Sequence, residues 1–252
     1  MKSFYLTDTG KVRDHNEDSV IIVRNNENSY LLAVADGMGG HSCGEVASSI
    51  VIKYLSHHFQ ESFYNLNKEE AINFINDSIQ EVNGMIFKYQ NDHPESKGMG
   101  TTLVMAILTT DYLLMANIGD SSGFIVKDNV LHKITYDHTL VNLLVAAGEL
   151  SEEEAKNHPR KNVLMKALGA NDPIEADIFD CDMNVDGVFL CSDGVTNMLE
   201  KEQIEKVLGE DLEIEERLVK LVHKCNNRGG LDNMSMAYLL MNEKEKSEGE
   251  NK

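Results

Sequence analysis

Five aspartates lie at or near the ends of apolar runs, and their carboxylates could meet in one site. They are Asp18, Asp36, Asp120, Asp193 and Asp232. A single aspartate at a strand end is usually a turn residue. If the five strand ends converge, several carboxylates meet with no lysine or arginine among them, and like charges at that range favour protonation or push the site apart unless a cation lies between them. A site of carboxylates selects a hard divalent ion, so the pattern predicts bound Mg²⁺ or Mn²⁺.

Glycine adjoins three of these aspartates, in the pairs Asp36-Gly37, Gly119-Asp120 and Asp193-Gly194. Glycine lets the backbone turn or approach a ligand closely without a steric cost. A backbone carbonyl such as that of Gly37 can therefore act as a further metal ligand.

The elements that must position these residues are strands joined in hairpin fashion, with helices grouped between them. Apolar and β-branched runs predict strands over 19–23, 30–35, 102–108, 112–118, 123–127, 130–134, 188–192 and 234–240. Apolar residues at helical spacing predict helices over 44–59, 67–90, about 200–208 and 211–226. Asn67 and Glu70 match a capping pair at the start of the second helix. The pattern favours an antiparallel α+β layer fold, and neither a linker nor an internal repeat is apparent.

Composition and charge disfavour several classes of protein. The 252 residues include 23 basic and 42 acidic side chains, and the formal net charge of -19 repels nucleic acid and anionic membranes. The longest oily runs are far shorter than the roughly 20 residues that span a bilayer, so we expect a cytoplasmic protein. The four cysteines include no C-x-x-C pair and the histidines no H-E-x-x-H, which argues against a zinc site and a disulfide framework.

Motifs that cover the chain nearly end to end match one family in order. They are TDTGKVRDHNEDS (7–19), VADGMGGHSCGEVAS (34–48), GMGTTL (98–103), NIGDSSGFI (117–125), the stretch 137–169, LCSDGVTNML (190–199) and GGLDNMS (229–235). On these residues the sequence resembles a bacterial metal-dependent serine/threonine protein phosphatase of type 2C. The resemblance implies a four-layer α/β/β/α sandwich of two antiparallel sheets flanked by helices. It also implies a catalytic domain over 1–242 with a mobile flap at about 137–169, and the polar composition of 243–252 predicts a frayed tail.

The resemblance further implies a metal site. Asp36 would bridge two ions, the carbonyl of Gly37 would bind one of them, and Asp193 and Asp232 would hold the other. Asp120 would help to hold a third, weaker ion. Two ions of Mn²⁺ or Mg²⁺ acidify a water between them, so that it can attack phosphorus near neutral pH.

Residues beside the metals receive roles by the same resemblance. Glu17 and Asp18 would orient metal-bound water, and Asp18 is counted with the metal site. Arg13 would grip the substrate phosphate with a planar fork of donors that lysine cannot reproduce. Animal members carry a histidine, proposed as general acid, where this chain has Met38, and the nearest histidine is His41. Two interpretations of His41 stand: a general acid, or a residue that packs at the start of the following helix.

The predicted activity is hydrolysis of phosphoserine and phosphothreonine in proteins. By resemblance the partners would be phosphorylated proteins, among them a bacterial serine/threonine kinase and its substrates, with neither nucleic acid nor membrane bound, and we expect a monomer. The alternative is a catalytically inactive phosphoprotein-binding module of the same fold, which the complete set of metal-binding carboxylates disfavours. Bacterial members usually carry arginine after GDS, whereas this chain has Ser122, where we expect changed substrate handling or edge packing.

Three local patterns imitate other sites. GDSSG (119–123) fits the nucleophile elbow of serine hydrolases, but that turn leads into a helix and the following FIVK is strand-like. The segment 182–193 imitates a calcium-binding EF-hand loop, but its second half predicts a buried strand. Cys191 could suggest a cysteine-dependent phosphatase, yet Asn197 stands where that chemistry needs arginine. None of the three displaces the carboxylate site.

Overall fold

The computed structural model describes residues 1–39 and 43–241. In chain order the strands are β1 (Lys2–Asp8), β2 (Asp18–Arg24), β3 (Tyr30–Met38), β4 (Gly100–Thr101), β5 (Leu103–Leu108), β6 (Leu113–Ile118), β7 (Ser122–Lys127), β8 (Val130–Lys133), β9 (Asp177–Cys181), β10 (Gly187–Cys191) and β11 (Met234–Leu240). The helices are α1 (Cys43–Ser62), α2 (Lys68–Asp92), α3 (Leu140–Ala146), α4 (Glu152–Lys156), α5 (Asp193–Thr196), α6 (Lys201–Leu208) and α7 (Ile214–Asn227), and Pro94–Ser96 form a 3₁₀ turn.

These strands form two antiparallel sheets. One sheet has the order β1-β11-β10-β7-β8, and the other has the order β2-β3-β5-β6-β9 with the short β4 paired to β3. The pairs β2/β3, β5/β6 and β7/β8 are successive in the chain and antiparallel. The predicted hairpins are therefore confirmed.

Apolar side chains fill the spaces between four layers of structure. β3 shows the arrangement, because successive side chains of a strand point to opposite faces of the sheet. Leu31, Ala33 and Ala35 pack in the cluster that includes α1 and α2, whereas Leu32 and Val34 pack against the sheet β1-β11-β10-β7-β8. The outer face of the sheet β1-β11-β10-β7-β8 packs against α5, α6 and α7. The predicted α/β/β/α sandwich is confirmed.

The start of α2 follows its predicted capping signal. The Glu70 N–H donates to Asn67 Oδ1 at 3.1 Å, and the Asn67 N–H donates to Glu70 Oε2 at 2.9 Å. This reciprocal pair satisfies backbone donors that a helix start leaves open. The buried face of α2 includes Ile75, Ile79 and Ile86, which matches the predicted helical spacing.

Several elements were not predicted from the sequence. β1 is an edge strand in which exposed and half-buried residues alternate, and its Phe4 and Leu6 pack only at the margin of a core. The predicted flap contains the short helices α3 and α4. The predicted tail lies outside the described residues, and the domain boundary at 242 stays a prediction. Within 1–39 and 43–241, the helices lack the combination of length and apolar character that crossing a bilayer requires.

Candidate active site

Carboxylates from both sheets line one cleft of about 540 Å³. Of the residues predicted from the sequence, the lining includes Arg13, Glu17, Asp36, Gly37, Asp120, Asp193 and Asp232. The predicted flap adds Asn162, Leu164, Met165, Lys166 and Ala167 to the same cleft. The structure thus brings the predicted strand ends together, and it places Asp18 beside the lining as a buried neighbour.

Asp18 lies opposite Asp36 on the paired strands β2 and β3. The Asp18 residue is only 7% exposed, and its Oδ2 accepts a hydrogen bond from Ser192 Oγ at 2.7 Å. Its Oδ1 has no hydrogen-bond partner among the described residues. Burial raises the pKa of Asp18 to about 7, and the charges of Asp193 and Asp232 act in the same direction. A buried carboxylate oxygen without a partner is costly, so this atom marks a place where a cation or a water would bind.

Asp36 lies inside β3 rather than beyond its end. The prediction that this strand ends at residue 35 is wrong, because the short β4 pairs with Gly37 and Met38 and so prolongs it. The Asp36 N–H donates to Thr102 Oγ1 at 3.0 Å, and the Asp36 carbonyl accepts from the Thr102 N–H at 2.9 Å. Burial, and then the charge of Asp18, holds the pKa of the Asp36 carboxyl well above its ordinary value.

Asp193 and Asp120 approach the same cleft from other elements. Asp193 opens α5 directly after β10, and its Oδ2 accepts a hydrogen bond from Asn197 Nδ2 at 3.0 Å. Burial raises the pKa of Asp193, and the charge of Asp232 adds to this. Asp120 follows β6, and burial together with the Asp193 charge raises its pKa to about 7. Burial is the largest cause of each raised pKa, and the charges of neighbouring carboxylates add to it.

Arg13 contacts this cluster directly. Its Nη2 donates to Asp232 Oδ2 at 2.9 Å, and the Arg13 side chain is 51% exposed. The prediction that no lysine or arginine lies among the carboxylates is therefore wrong, since Lys166 also lines the cleft. Half of the Arg13 side chain remains accessible to an anionic ligand.

The donor set fits a divalent cation. Carboxylate and carbonyl oxygens are the ligands that Mg²⁺ and Mn²⁺ prefer, and a cation between them relieves their repulsion. Among the residues that the structure describes, no group of three or more His, Cys, Asp or Glu side chains is placed so that it could hold a metal ion. The fit therefore rests on the chemistry of the donors and on the unpartnered Oδ1 of Asp18.

Glu17 and Gly37 are held together by their backbones. The Gly37 N–H donates to the Glu17 carbonyl at 3.1 Å, and Ser48 Oγ donates to the same carbonyl at 2.6 Å. A Cβ atom at Gly37 would lie 2.5 Å from that carbonyl oxygen and 2.2 Å from the carbonyl oxygen of Gly44. Only glycine fits this close approach. Burial raises the pKa of the Glu17 carboxyl even though Arg13 opposes the shift.

Asn233 is a positioning residue that the sequence reasoning missed. Its Oδ1 accepts from the Glu17 N–H at 2.9 Å, and its Nδ2 donates to the carbonyls of Thr9 and His15, each at 2.9 Å. One buried amide therefore fixes the loop that carries Arg13 against the start of β11. Its only sequence signal was its place beside Asp232 in the motif GGLDNMS.

The structure tests the predictions for Ser122 and for two of the sequence patterns that imitate other sites, but not the prediction for His41. His41 lies outside the described residues, so its role stays a prediction, and Met38 lines the cleft. Ser122 is buried, and its Oγ has no partner in the described part of the chain. GDSSG leads into strand β7, and the EF-hand-like segment leads into the buried strand β10, as expected from the sequence. Both alternative sites are excluded on that ground.

Carboxylates that repel one another call for a cation, and an accessible arginine beside them calls for an anionic substrate. A metal-dependent phosphatase meets both needs. Comparison with known proteins then specifies the family. The model of the family described as protein phosphatase 2C matches residues 10–234. The chain belongs to the protein phosphatase 2C family.

Relatives from several bacteria are similar over almost the whole chain. The serine/threonine phosphatase stp of Listeria welshimeri is 40% identical over 243 residues, which are 96% of this chain and 96% of that protein. Protein phosphatase PhpP of Streptococcus pneumoniae is 33% identical over 97% of this chain and 99% of its own length. The crystal structure of serine/threonine phosphatase Stp1 from Staphylococcus aureus superposes with a TM-score of 0.90 at 33% identity, covering 96% of this chain and 95% of that one.

These findings confirm the predicted family, fold and class of enzyme. The chain is a protein serine/threonine phosphatase of a metal-dependent family.

Proposed function

We propose that this phosphatase hydrolyses phosphoserine and phosphothreonine residues of proteins in the carboxylate-lined cleft, with Mn²⁺ or Mg²⁺ as cofactor. The observation that carries the proposal is a group of buried, mutually repelling carboxylates beside a half-exposed arginine. Two ions are proposed, with a third at Asp120. The residues proposed to hold or surround them are Glu17, Asp18, Asp36, Gly37, Asp120, Asp193 and Asp232.

Bound ions would neutralise charge on the phosphoryl group and would lower the pKa of the attacking water. Neighbouring residues of the protein hold the proposed metal-binding carboxylates in place. Asp36 is fixed by backbone hydrogen bonds to Thr102, and Asp193 is fixed by Asn197. A rigid arrangement of donors supports a charged transition state without reorganisation during the reaction.

Arg13 is proposed to bind the substrate phosphate. Asp232 accepts from one terminal nitrogen of the guanidinium, which restricts its rotation. The other donors of the planar group can then meet two phosphoryl oxygens together. Because Asn233 fixes the loop of Arg13, this fork has a defined place beside the carboxylates.

Protonation of the leaving serine or threonine oxygen needs a separate acid. His41 remains the candidate, as the histidine that stands nearest in sequence to Met38 of the cleft lining. A His41→Gln variant tests this role through the pH dependence of kcat. Loss of the alkaline limb of the pH profile, where a general acid would lose its proton, together with a lowered kcat supports a general acid. An unchanged profile assigns His41 to packing.

The decisive experiment compares hydrolysis of a phosphothreonine peptide with Mn²⁺, with chelator, and with Asp193→Asn in place of the wild type. This substitution keeps the shape of the side chain and an acceptor for Asn197 but removes the charge. We expect at least about a hundredfold lower kcat, which is about 2.7 kcal/mol in activation free energy. Asp77→Asn, on an exposed face of α2, is the matched control.

Retained activity in chelator or in Asp193→Asn would contradict the proposed site. A wild type that binds Mn²⁺ but hydrolyses nothing would favour the alternative, an inactive phosphoprotein-binding module. The kinase partner, the monomeric state and the cytoplasmic location are part of the proposal. Dephosphorylation of a bacterial serine/threonine kinase by the purified protein, and its mass in solution, test the first two directly.

A further inference from the structure

His138 and Gly119 are joined by two hydrogen bonds at the edge of the cleft. The His138 N–H donates to the Gly119 carbonyl at 2.9 Å, and the Gly119 N–H donates to His138 Nδ1 at 3.0 Å. Gly119 directly precedes Asp120, and its φ of +102° belongs to glycine. His138 therefore binds both the N–H and the carbonyl of Gly119, the glycine at which the chain turns before Asp120.

The imidazole of His138 reaches a second element through its other nitrogen. Because a backbone N–H can only donate, Nδ1 must accept, and in the neutral ring the proton then lies on Nε2. His138 Nε2 lies 3.1 Å from Asp177 Oδ2 at the start of β9, so Nε2–H donates to this carboxylate. The His138 side chain is 15% exposed, and this limits competition by water.

His138 lies near the start of the predicted flap and also binds the chain near the end of the flap. The His138 carbonyl accepts from the Met165 N–H at 2.8 Å, and Lys166 Nζ lies 3.4 Å from Asp177 Oδ1. Met165 and Lys166 both line the cleft. His138 thus connects the turn before Asp120, the start and end of the flap, and the edge strand β9.

We propose that His138 is a positioning residue, whose Nδ1 sets the place of the Asp120 turn relative to the base of the flap. The inference rests on the proposed function, since Asp120 matters only if the cleft is the active site. A side chain that aligns a carboxylate without touching the substrate should affect kcat more than KM. Loss of the hydrogen bond from the Gly119 N–H should lower kcat, whereas loss of the hydrogen bond to Asp177 should not.

Two substitutions separate these bonds. In His138→Asn the amide oxygen can occupy the place of Nδ1, so the bond from Gly119 is kept and the bond to Asp177 is lost. In His138→Gln the longer amide can reach Asp177 in place of Nε2, and the bond from Gly119 is lost. Each variant loses one imidazole bond, so a merely structural role predicts similar effects of both. His132→Gln is the matched control, because His132 is exposed on β8.

We expect kcat for a phosphothreonine peptide to stay within about threefold of wild type in His138→Asn. In His138→Gln we expect kcat to fall about tenfold or more, with KM within about threefold, because a backbone donor near Asp120 loses its partner. Amide hydrogen exchange at Gly119, followed by NMR, is the readout that does not depend on activity. It should stay slow in wild type and His138→Asn and become at least about tenfold faster in His138→Gln.

Equal loss of kcat in both variants, no loss in either, or a loss confined to His138→Asn would overturn the proposal. If His138→Gln does not fold, His138→Asn decides alone: retained exchange protection and kcat support the proposal, and loss of either overturns it. A wild type without phosphatase activity would refute the proposed function. The exchange rates of Gly119 would then still show whether Nδ1 holds the turn.

Discussion

Asp18 and Asp36 stand directly opposite each other on the antiparallel strands β2 and β3. Like charges at opposed positions destabilise an antiparallel pair. Apolar pairs further along the same two strands offset this cost, with Val20 opposite Val34. The hairpin therefore brings two carboxylates together at the cleft, and the rest of the sheet keeps them there.

Removing one of these charges should stabilise the protein in the absence of divalent ions. Asp18→Asn keeps an acceptor for Ser192 Oγ but relieves a buried charge whose Oδ1 has no partner in the described structure. We expect a gain of about 1 kcal/mol in chelator, or about 2–4 °C in Tm. Differential scanning calorimetry measures it, with the exposed Asp77→Asn as control. A lower Tm for Asp18→Asn would show that the aspartate is stabilising in its own right.

Divalent ions should stabilise the wild type more than they stabilise Asp193→Asn. A ligand that binds only the folded state stabilises it, by about 2.7 kcal/mol at a concentration of one hundred times Kd. Titration with Mn²⁺ should therefore raise the Tm of wild type by several degrees and should raise that of Asp193→Asn much less. Equal shifts in the two proteins would place the ions elsewhere. The same titration with Asp77→Asn shows how much of the shift comes from general charge screening.

Much of the site could be predicted because its signals are local. Asp36 and Asp193 adjoin strongly apolar runs, so both the strand and the carboxylate are visible in a few residues. The extent of β3 was not visible, since it depends on pairing with β4, more than sixty residues away in sequence. β9 was missed because it is a short edge strand whose residues are mostly half-buried, so that it has no strongly apolar run.

The residues that position the site were harder to predict than the carboxylates themselves. Asn233 and His138 act through hydrogen bonds to the backbones of distant segments. A polar side chain of this kind has no periodicity, and its partners are defined only by the tertiary structure. Sequence motifs marked the neighbourhood of both residues but not what they bind.

Replacing Arg13 by lysine tests whether the planar fork matters. Arg13→Lys keeps the charge and can keep one contact to Asp232, but it loses the paired donors for two phosphoryl oxygens. We expect kcat/KM for a phosphothreonine peptide to fall about tenfold to a hundredfold, with little change in Tm because the side chain is half exposed. Arg24→Lys on β2 is the control. Wild-type kcat/KM in Arg13→Lys would remove this residue from phosphate binding.

Asn233 should matter for both stability and activity. Asn233→Ala leaves the Glu17 N–H and the carbonyls of Thr9 and His15 without their amide partner, and we expect a loss of about 2–3 kcal/mol in free energy of unfolding. Because the same loop carries Arg13, kcat/KM should fall as well. Urea unfolding and peptide hydrolysis measure the two effects, with the exposed Asn76→Ala as control. Loss of stability with full activity would show that the loop does not need this anchor to place Arg13.

The alkaline stability of the protein should depend on Tyr112. This residue is 4% exposed, and its hydroxyl donates to the Leu66 carbonyl at 2.8 Å. Burial raises the pKa of Tyr112 to about 12, above the value of about 10 for an unfolded chain. A group whose folded pKa is raised stabilises fully below its unfolded pKa and loses that stabilisation as the pH rises through the folded pKa. The contribution of Tyr112 should therefore be constant below pH 10 and decline between about pH 10 and 12.

Tyr112→Phe isolates this effect. Near neutral pH the variant should be about 1 kcal/mol less stable than wild type, because one buried hydrogen bond is lost. Above about pH 10 the difference should shrink, since only the wild type must keep a phenol protonated in the folded state. Urea unfolding from pH 8 to 11.5 measures both limits. Tyr136→Phe, at a side chain that is 72% exposed, should show no such trend. A difference between wild type and Tyr112→Phe that stays constant over this range would mean that Tyr112 ionises equally readily in both states.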